Sequence, residues 1–404
     1  MAAAACDAGA PEPMSPGRRA RLALALGSLS AFGALTIDMY LPAMPGMAHE
    51  LQTSMPLVQL TLTVFVIGLA IGQVIVGPLS DMWGRRRPLL IGMALYVAGS
   101  LWCAMAPDVG WLVGGRILQS LGAAAATVLA RAIVRDLFDG TAMTRFFSTL
   151  MLVNGVAPIV APVIGGQLLT VATWRAMFVV LAALGAALLL AVVFTLPESL
   201  PAGRRQPARL TGTLRTFRAL ATDWHYLRYV LAAALMFAAV FAYISGSSFV
   251  LQDGYRLTPQ QFSLVFGANG LGIVLFGQAN SLLVGRAADE HTLLRISLTV
   301  ATLGGLGVLA CAALRLPLPM LLTCLFTVVS MLGIVFANAT SLALTRHGSA
   351  AGAASSLQGL LQFLVGGAAS SAMSLTGHVN AVVMGATMFL CAAAALAVLS
   401  ARRR

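Results

Sequence analysis

The sequence predicts an all-α membrane protein of twelve transmembrane helices arranged as two six-helix halves. Three observations predict it. Of 404 residues, 59% are apolar and only 9% are charged, with a mean hydropathy of +0.89. A soluble domain carries about 25% charged residues, and a disordered chain lacks such apolar content. Charge and proline clusters cut the chain into twelve apolar segments, each close to the roughly 20 residues that span a bilayer. The arginines, finally, fall where a membrane protein with both termini inside would place them.

In chain order, residues 1–21 form a cytoplasmic tail rich in Ala, Gly and Pro that ends in Arg18, Arg19 and Arg21. The apolar run after it starts like a signal peptide but is too long for one, and many spans follow, so it is read as an uncleaved first helix. The segments lie near 22–44, 57–79, 89–107, 110–132, 146–171, 176–196, 229–251, 262–284, 293–314, 317–340, 351–375 and 380–400. They define an N-terminal half at 22–196 and a C-terminal half at 229–400, joined by a hydrophilic cytoplasmic linker at 197–228 and followed by a basic tail at 401–404. Two such halves around a midplane site are the architecture of many secondary transporters. A faint repeat agrees: Gly77 and Arg85 at the second junction are echoed by Gly277 and Arg286, with Ser281 where Asp81 would stand. The sixth and twelfth segments hold almost no polar residue and are expected to face lipid.

The net charge is +12, and all 25 cations are Arg. With the N-terminus inside, 21 arginines fall in cytoplasmic segments, three (Arg175, Arg256 and Arg315) fall outside, and Arg116 lies within a span. The positive-inside rule accounts for that split, so the surplus needs no nucleic acid. Trp83 and Trp224 near inner ends, and Trp102, Trp111 and Trp174 near outer ones, fit aromatic belts. Without Lys the chain has no Walker A lysine and no Schiff-base amine. The five cysteines form no CxxC pair and the five histidines sit at polar breaks, which leaves neither a metal site nor an intramembrane His relay. No HExxH or GxSxG occurs either, so an enzyme lacks its parts, and a receptor or scaffold lacks a soluble domain.

Four motifs stand out. Gly77-Pro-Leu-Ser-Asp81-Met-Trp-Gly84-Arg85-Arg86-Arg87 marks a tight cytoplasmic turn in which Gly84 permits an unusual backbone angle. The fourth span carries Gly115-Arg116-Ile-Leu-Gln119-Ser-Leu-Gly122. An Arg in lipid costs about 2.5–3.5 kcal/mol or more, which points to a cavity or a partner, although an Arg about six residues from the outer end also reaches the interface by snorkelling. The first span holds Asp38, the one acid inside a predicted span, in Asp38-Met39-Tyr40-Leu-Pro42-Ala-Met-Pro45. It lies about 9 Å from the outer end at 1.5 Å per residue, a depth similar to that of Arg116. Burial favours the neutral carboxyl and a nearby Arg the charged one, opposing pulls that suit a proton carrier; a cap at the Pro42 break, or a side chain in outer water, is the plainer alternative. The fifth span reads Ala157-Pro158-Ile-Val-Ala161-Pro162-Val-Ile-Gly165-Gly166. Its small residues at every fourth position permit close helix packing, and its prolines favour a kink.

The first motif resembles the loop signature of the major facilitator superfamily, with Met82 where a further cation is common. The fourth-span motif is similar to that superfamily's Arg-containing motif, with Ser120 for Gly. The fifth resembles its antiporter motif, with Ala157 and Ala161 for glycines. Together with Asp38 to Pro45 and Pro197-Glu-Ser199, they resemble the bicyclomycin-resistance (Bcr/CflA) branch of multidrug efflux transporters over residues 30–200. The resemblance implies the major facilitator fold and proton/drug antiport, exporting apolar or amphipathic compounds across the bacterial inner membrane. On that reading the partners are protons, a drug-like molecule and the bilayer. The chain acts as a monomer with cytoplasmic termini, without a cofactor or metal, and the proton gradient is the energy source. A proton-coupled importer or metabolite exporter of the same fold is the alternative. Asp38 is then the leading proton carrier, with Arg116 as its modulator or a substrate contact. Met39, Tyr40, Phe65, Gln73, Gln119 and Phe237 are candidates for the cavity wall, and Ser355, Gln358, Gln362 and Gly366 form a stripe on the eleventh span that either lines the cavity or bonds between helices.

Overall fold

The computed structural model describes residues 16–138, 140–201, 203, 205, 210–345, 351–377 and 379–401. Arg204, Arg209, Arg346 and the basic tail at 402–404 lie outside them. The described residues are helical almost throughout, apart from an isolated bridge between Val284 and Ala288. In chain order the helices are α1 (Pro16–Asp38), α2 (Met44–Glu50), α3 (Met55–Trp83), α4 (Arg86–Ala104), α5 (Val109–Leu137), α6 (Gly140–Leu168), α7 (Arg175–Thr195), α8 (Leu210–Thr222), α9 (Trp224–Phe249), α10 (Pro259–Leu283), α11 (Glu290–Ala313), α12 (Leu318–Leu344), α13 (Ala351–Ser374) and α14 (Ala381–Ser400). Ten of them, the first counted as Leu24–Glu50, are long and apolar enough to cross a membrane. With α6 and α13, of 29 and 24 residues, they match the twelve expected spans.

The starts of these helices follow from local chemistry. Asp108 accepts the Trp111 amide at the start of α5 and Asn380 that of Val383 at the start of α14. Thr258 and Gln261 make a reciprocal capping box on α10. The turns into α4 and α11 pass through Gly84 and Gly285, at φ 88° and 74°, a left-handed region that a side chain disfavours. The repeat hinted at by Gly77 and Gly277 therefore continues into backbone geometry.

Two elements were not expected. The first span does not run to residue 44 as one helix: α1 ends at Asp38, and a 3-10 turn, Leu41–Ala43, leads into the short α2. Pro42 and Pro45 lack the N–H that a continuous helix would use. Inside the linker, Leu210–Thr222 forms α8, which packs on α9 and α13 with Leu220 buried and Arg215 and Arg218 exposed. It is the hydrophilic linker's own amphipathic helix.

Each half repeats one packing plan. In the first, α5 packs on α1, α3 and α4, α4 on α7, and α1 on α6; in the second, α12 packs on α9, α10 and α11, α11 on α14, and α9 on α13. Only a third of the apolar stretches of α7 and α14 is buried, against 78% of the first span, so these two form outer walls as their composition predicts. The halves meet along α3 with α13 and α6 with α10.

Among the described residues, six side-chain hydrogen bonds join the halves, and all lie toward the end that carries α2. Ser248 donates to the Leu41 carbonyl at 2.5 Å, Gln252 to that of Pro42 at 3.1 Å, and Gln260 to that of Gly166 at 2.9 Å. Gln59 donates to Ser245 and accepts from Ser374, and Thr63 donates to Ser370. That end of the bundle is sealed.

The α6 ridge closes it. Gly165 lies so near the Met39 carbonyl that a Cβ would overlap the oxygen, and a Cβ on Gly166 would overlap the Ser263 hydroxyl of α10. Helix α6 is continuous through Pro158 and Pro162. Gly165→Val should therefore lower the melting temperature of the purified protein in detergent, with a loss of about 2 kcal/mol or more from overpacking. The same substitution at Gly203, which has open space around it, should leave it unchanged.

Candidate functional site

The break in α1 leaves carbonyls at the helix end without intrahelical partners. One of them, from Thr36, accepts Arg116 Nη1 of α5 at 3.3 Å. The same guanidinium donates to Gln119 Oε1 at 2.8 Å and to the Thr61 carbonyl of α3 at 3.5 Å. Three aromatic faces close around it: Phe65 at 4.2 Å, Tyr40 at 4.5 Å and Phe178 at 5.9 Å from the guanidinium carbon. Arg116 is fully buried. Its charge is held at the negative end of the α1 dipole by carbonyls and ring quadrupoles, each ring worth about 2 kcal/mol when desolvated.

The cage is itself braced. Gln119 Nε2 donates to Ser100, whose hydroxyl donates to the Tyr96 carbonyl, and the Tyr96 hydroxyl pairs with that of Thr36 at 2.6 Å. Four helices, α1, α3, α4 and α5, thus share one polar network, to which α7 adds the Phe178 ring.

Asp38 stands apart from it. The two embedded charges were expected to communicate, yet among the described residues Asp38 makes neither an ion pair nor a hydrogen bond with Arg116 or any other group. The reason is the turn at Met39–Tyr40, which puts the Tyr40 ring over the guanidinium. Arg116 does not snorkel to the interface either. Asp38 is 4% exposed and lies close to where the halves meet. The Tyr243 hydroxyl accepts from Asn269 of α10 at 2.7 Å, and its ring stacks on Phe266. The bonds from Ser248 and Gln252 meet the same stretch three and four residues beyond Asp38.

The cavity candidates separate into groups. Tyr40, Phe65 and Gln119 are fully buried around Arg116, so they are cage rather than exposed wall. Met39 is buried beneath Gly165. Phe237 is half-buried in a cluster with Phe241 and Phe363. Gln73 is also half-buried, and its side chain faces Gly359 of the other half. Of the α6 residues, Ala157 and Ala161 are buried, and the Pro158 backbone lies against Gly270 of α10.

The loop motif forms a second cluster. Arg85 donates to Ser80 at 2.6 Å, to Asp81 at 2.5 Å and to Asp136 of α5 at 2.8 Å. Glu198 accepts the backbone amides of Arg85 and Arg86 at 2.7 and 3.3 Å and so caps the start of α4. A Cβ on Gly84 would overlap that carboxylate. Arg86 donates to the Val193 carbonyl at 2.8 Å, and Gly77 has open space around it. The reading of the sequence missed Asp136 and the role of Glu198. Both are acids among arginines at predicted inner helix ends, and that signal was available.

The model of the Major Facilitator Superfamily matches residues 24–373. The chain is similar to an uncharacterized MFS-type transporter, YdgK, of Bacillus subtilis, 41% identical over 385 residues that cover 94% of each chain. It is 34% identical to a bicyclomycin resistance protein homolog of Haemophilus influenzae, over 91% of this chain and 92% of that one. A multidrug resistance protein of Escherichia coli, MdtL, is 33% identical over 41% of this chain and 42% of its own length. Among solved structures, the peptide transporter POT in complex with alafosfalin superposes with a TM-score of 0.77 at 15% identity, covering 96% of this chain and 94% of its own. The xylose transporter XylE of E. coli superposes with a TM-score of 0.69 at 15% identity, covering 92% and 96%.

The cage requires a planar fork, which an ammonium cannot replace. Arg116→Lys should lower the melting temperature in detergent by the equivalent of about 2–4 kcal/mol, since it leaves buried acceptors unpaired. Glu198→Gln should cost about 1 kcal/mol through the weakened cap, read in the same assay.

Proposed function

Since the chain belongs to the major facilitator superfamily, it is a multi-pass membrane transporter, and we propose that it exports apolar or amphipathic small molecules in exchange for protons. The observation that carries this reading is Asp38, a carboxyl buried at the seam between the halves with no counter-ion, while the nearest cation in the sequence pattern, Arg116, is held elsewhere. The relatives named for bicyclomycin and multidrug resistance support a drug-like substrate. The split of 21 arginines against three supports cytoplasmic termini in a bacterial inner membrane. The proton gradient serves as energy source, no cofactor takes part, and the monomer is the working unit.

The coupling follows from solvation. An isolated carboxylate in a dry seam is strongly unfavourable, so the sealed arrangement at the α2 end accommodates the protonated acid. Parting the halves at that end lets water reach Asp38 and the carboxyl take up a proton from outside, and the proton then leaves by the inner opening. A ligand that favours one arrangement then shifts proton occupancy, and the converse holds by linkage. With the α2 end outermost, the protonated carrier seals the outside and opens inward, the direction that drives export. One proton moving through 100 mV is worth about 2.3 kcal/mol, or roughly a 50-fold concentration ratio at 1.4 kcal/mol per decade. In this scheme Arg116 positions the α1 break and does not exchange a proton.

Inside-out vesicles containing the full-length protein test the scheme with ethidium as probe. The wild type should accumulate ethidium under an imposed pH gradient, acid inside, and Asp38→Asn should reduce that uptake to the protein-free level while the membrane content of the protein is unchanged. Uptake by Asp38→Asn equal to the wild type would remove Asp38 from the mechanism. Gradient-driven ethidium loss would favour an importer.

A further inference from the structure

The stripe on α13 takes no part in the proton step. Gln358 and Gln362 are 4% and 6% exposed, yet Gln358 Oε1 and Gln362 Nε2 have no hydrogen-bond partner. Gln358 is held in place by its other end, which donates to Thr340 of α12 at 2.7 Å. A buried polar atom without a partner is destabilising, and two on one helix face, one turn apart, call for a common explanation.

Their surroundings supply it. Ser355, one turn nearer the end opposite α2, is exposed. One turn beyond Gln362, Gly366 is roofed by the Phe237 ring, 3.0 Å from where a Cβ would sit. Phe237 packs against Phe241 and Phe363 at 5.8 and 5.6 Å between centroids. Neighbouring α13 residues lie at the seam: Gly359 faces Gln73 and Gly367 faces Ile67 of the first half. The stripe therefore runs from an accessible hydroxyl past two amides to an aromatic floor, beside the seam that must part during transport.

We propose that Gln358 and Gln362 are the hydrogen-bonding pair of a ligand subsite that recognises a secondary amide next to an aromatic ring. The N–H and C=O of a trans amide point in opposite directions. One such group lying between the two glutamines donates to Gln358 Oε1 and accepts from Gln362 Nε2, with its ring on Phe237. No charge is buried, in keeping with the absence of ions on this stripe. The inference rests on the transporter reading, but it concerns ligand choice and not energy coupling.

The test uses the full-length protein in lipid nanodiscs and two tritiated probes, N-benzylbenzamide and N-benzyl-N-methylbenzamide, which differ by the amide donor. The wild type should bind the secondary amide about ten-fold tighter, the factor of one hydrogen bond worth roughly 1.4 kcal/mol. In the double variant Gln358→Met/Gln362→Met the ratio should fall to near one through loss of secondary-amide affinity. Affinity for the methylated probe should be kept and the melting temperature should stay within a degree or two, because loss of the Gln358–Thr340 bond is offset by removal of two unpaired buried polar atoms. Equal binding of the probes by the wild type, no binding of either, or a ratio retained in the variant would each overturn the proposal. So would a variant melting several degrees lower, which would make the glutamines packing residues. Ethidium uptake by the wild type reports on the transporter reading separately: uptake without amide selectivity removes the subsite alone, and absence of both removes the two together.

Discussion

A guanidinium buried in a bilayer without a counter-ion is the condition around which the first half is organised. Among the described residues Arg116 has no carboxylate to neutralise it, so its charge is divided among carbonyls, an amide oxygen and three aromatic faces. Those groups come from α1, α3, α5 and α7, together with Tyr40 just beyond the end of α1, and two of them, the Thr36 carbonyl and the Tyr40 ring, depend on α1 stopping at Asp38. The break in α1 and the burial of Arg116 are thus one requirement seen from two sides. The helix end supplies partial negative charge, and the cation supplies the donors that the helix end lacks.

From that break the seam is built outward. Carbonyls exposed at Leu41 and Pro42 recruit Ser248 and Gln252 of the other half, and the Met39 carbonyl fits against Gly165. Asp38 is left at the junction with neither the cation nor a donor. Its isolation is a by-product of the Arg116 cage, and in the proposed scheme it makes the carboxyl sensitive to whether the seam is dry or wet. The loop cluster at Arg85, Asp136 and Glu198 is separate: it ties α3, α4, α5 and the exit of α7 within one half.

Much of this was legible in the residues themselves. Span number, the positive φ at Gly84, the outer walls α7 and α14, and the identity of the two embedded charges all follow from periodicity, turn chemistry and charge placement. Periodicity describes a helix's own faces, however, and not which neighbour meets them. Depth along the chain put Asp38 and Arg116 at one level and suggested a pair; only the three-dimensional turn at Met39–Tyr40 separates them. Tyr40, Phe65 and Phe178 are far apart in sequence and read as ordinary apolar residues, so the cage was invisible. The break after Asp38 was signalled by Pro42 and Pro45 and underweighted. Helix α8 was hidden because its apolar residues are too few to register as a span.

The bonds that close the α2 end are all neutral, hydroxyl or amide to carbonyl, hydroxyl or amide, and among the described residues no ion pair crosses between the halves. Mobile ions screen exposed charges over about 8 Å at physiological ionic strength, but they have little to act on in these six bonds. The bonds should then hold alike in dilute and in saline surroundings, and on the proposed coupling the external variable that reaches their centre is acidity, through Asp38. On that proposal, a gate deaf to salt and attentive to protons would suit a molecule that sits between a regulated interior and an exterior whose composition it does not control.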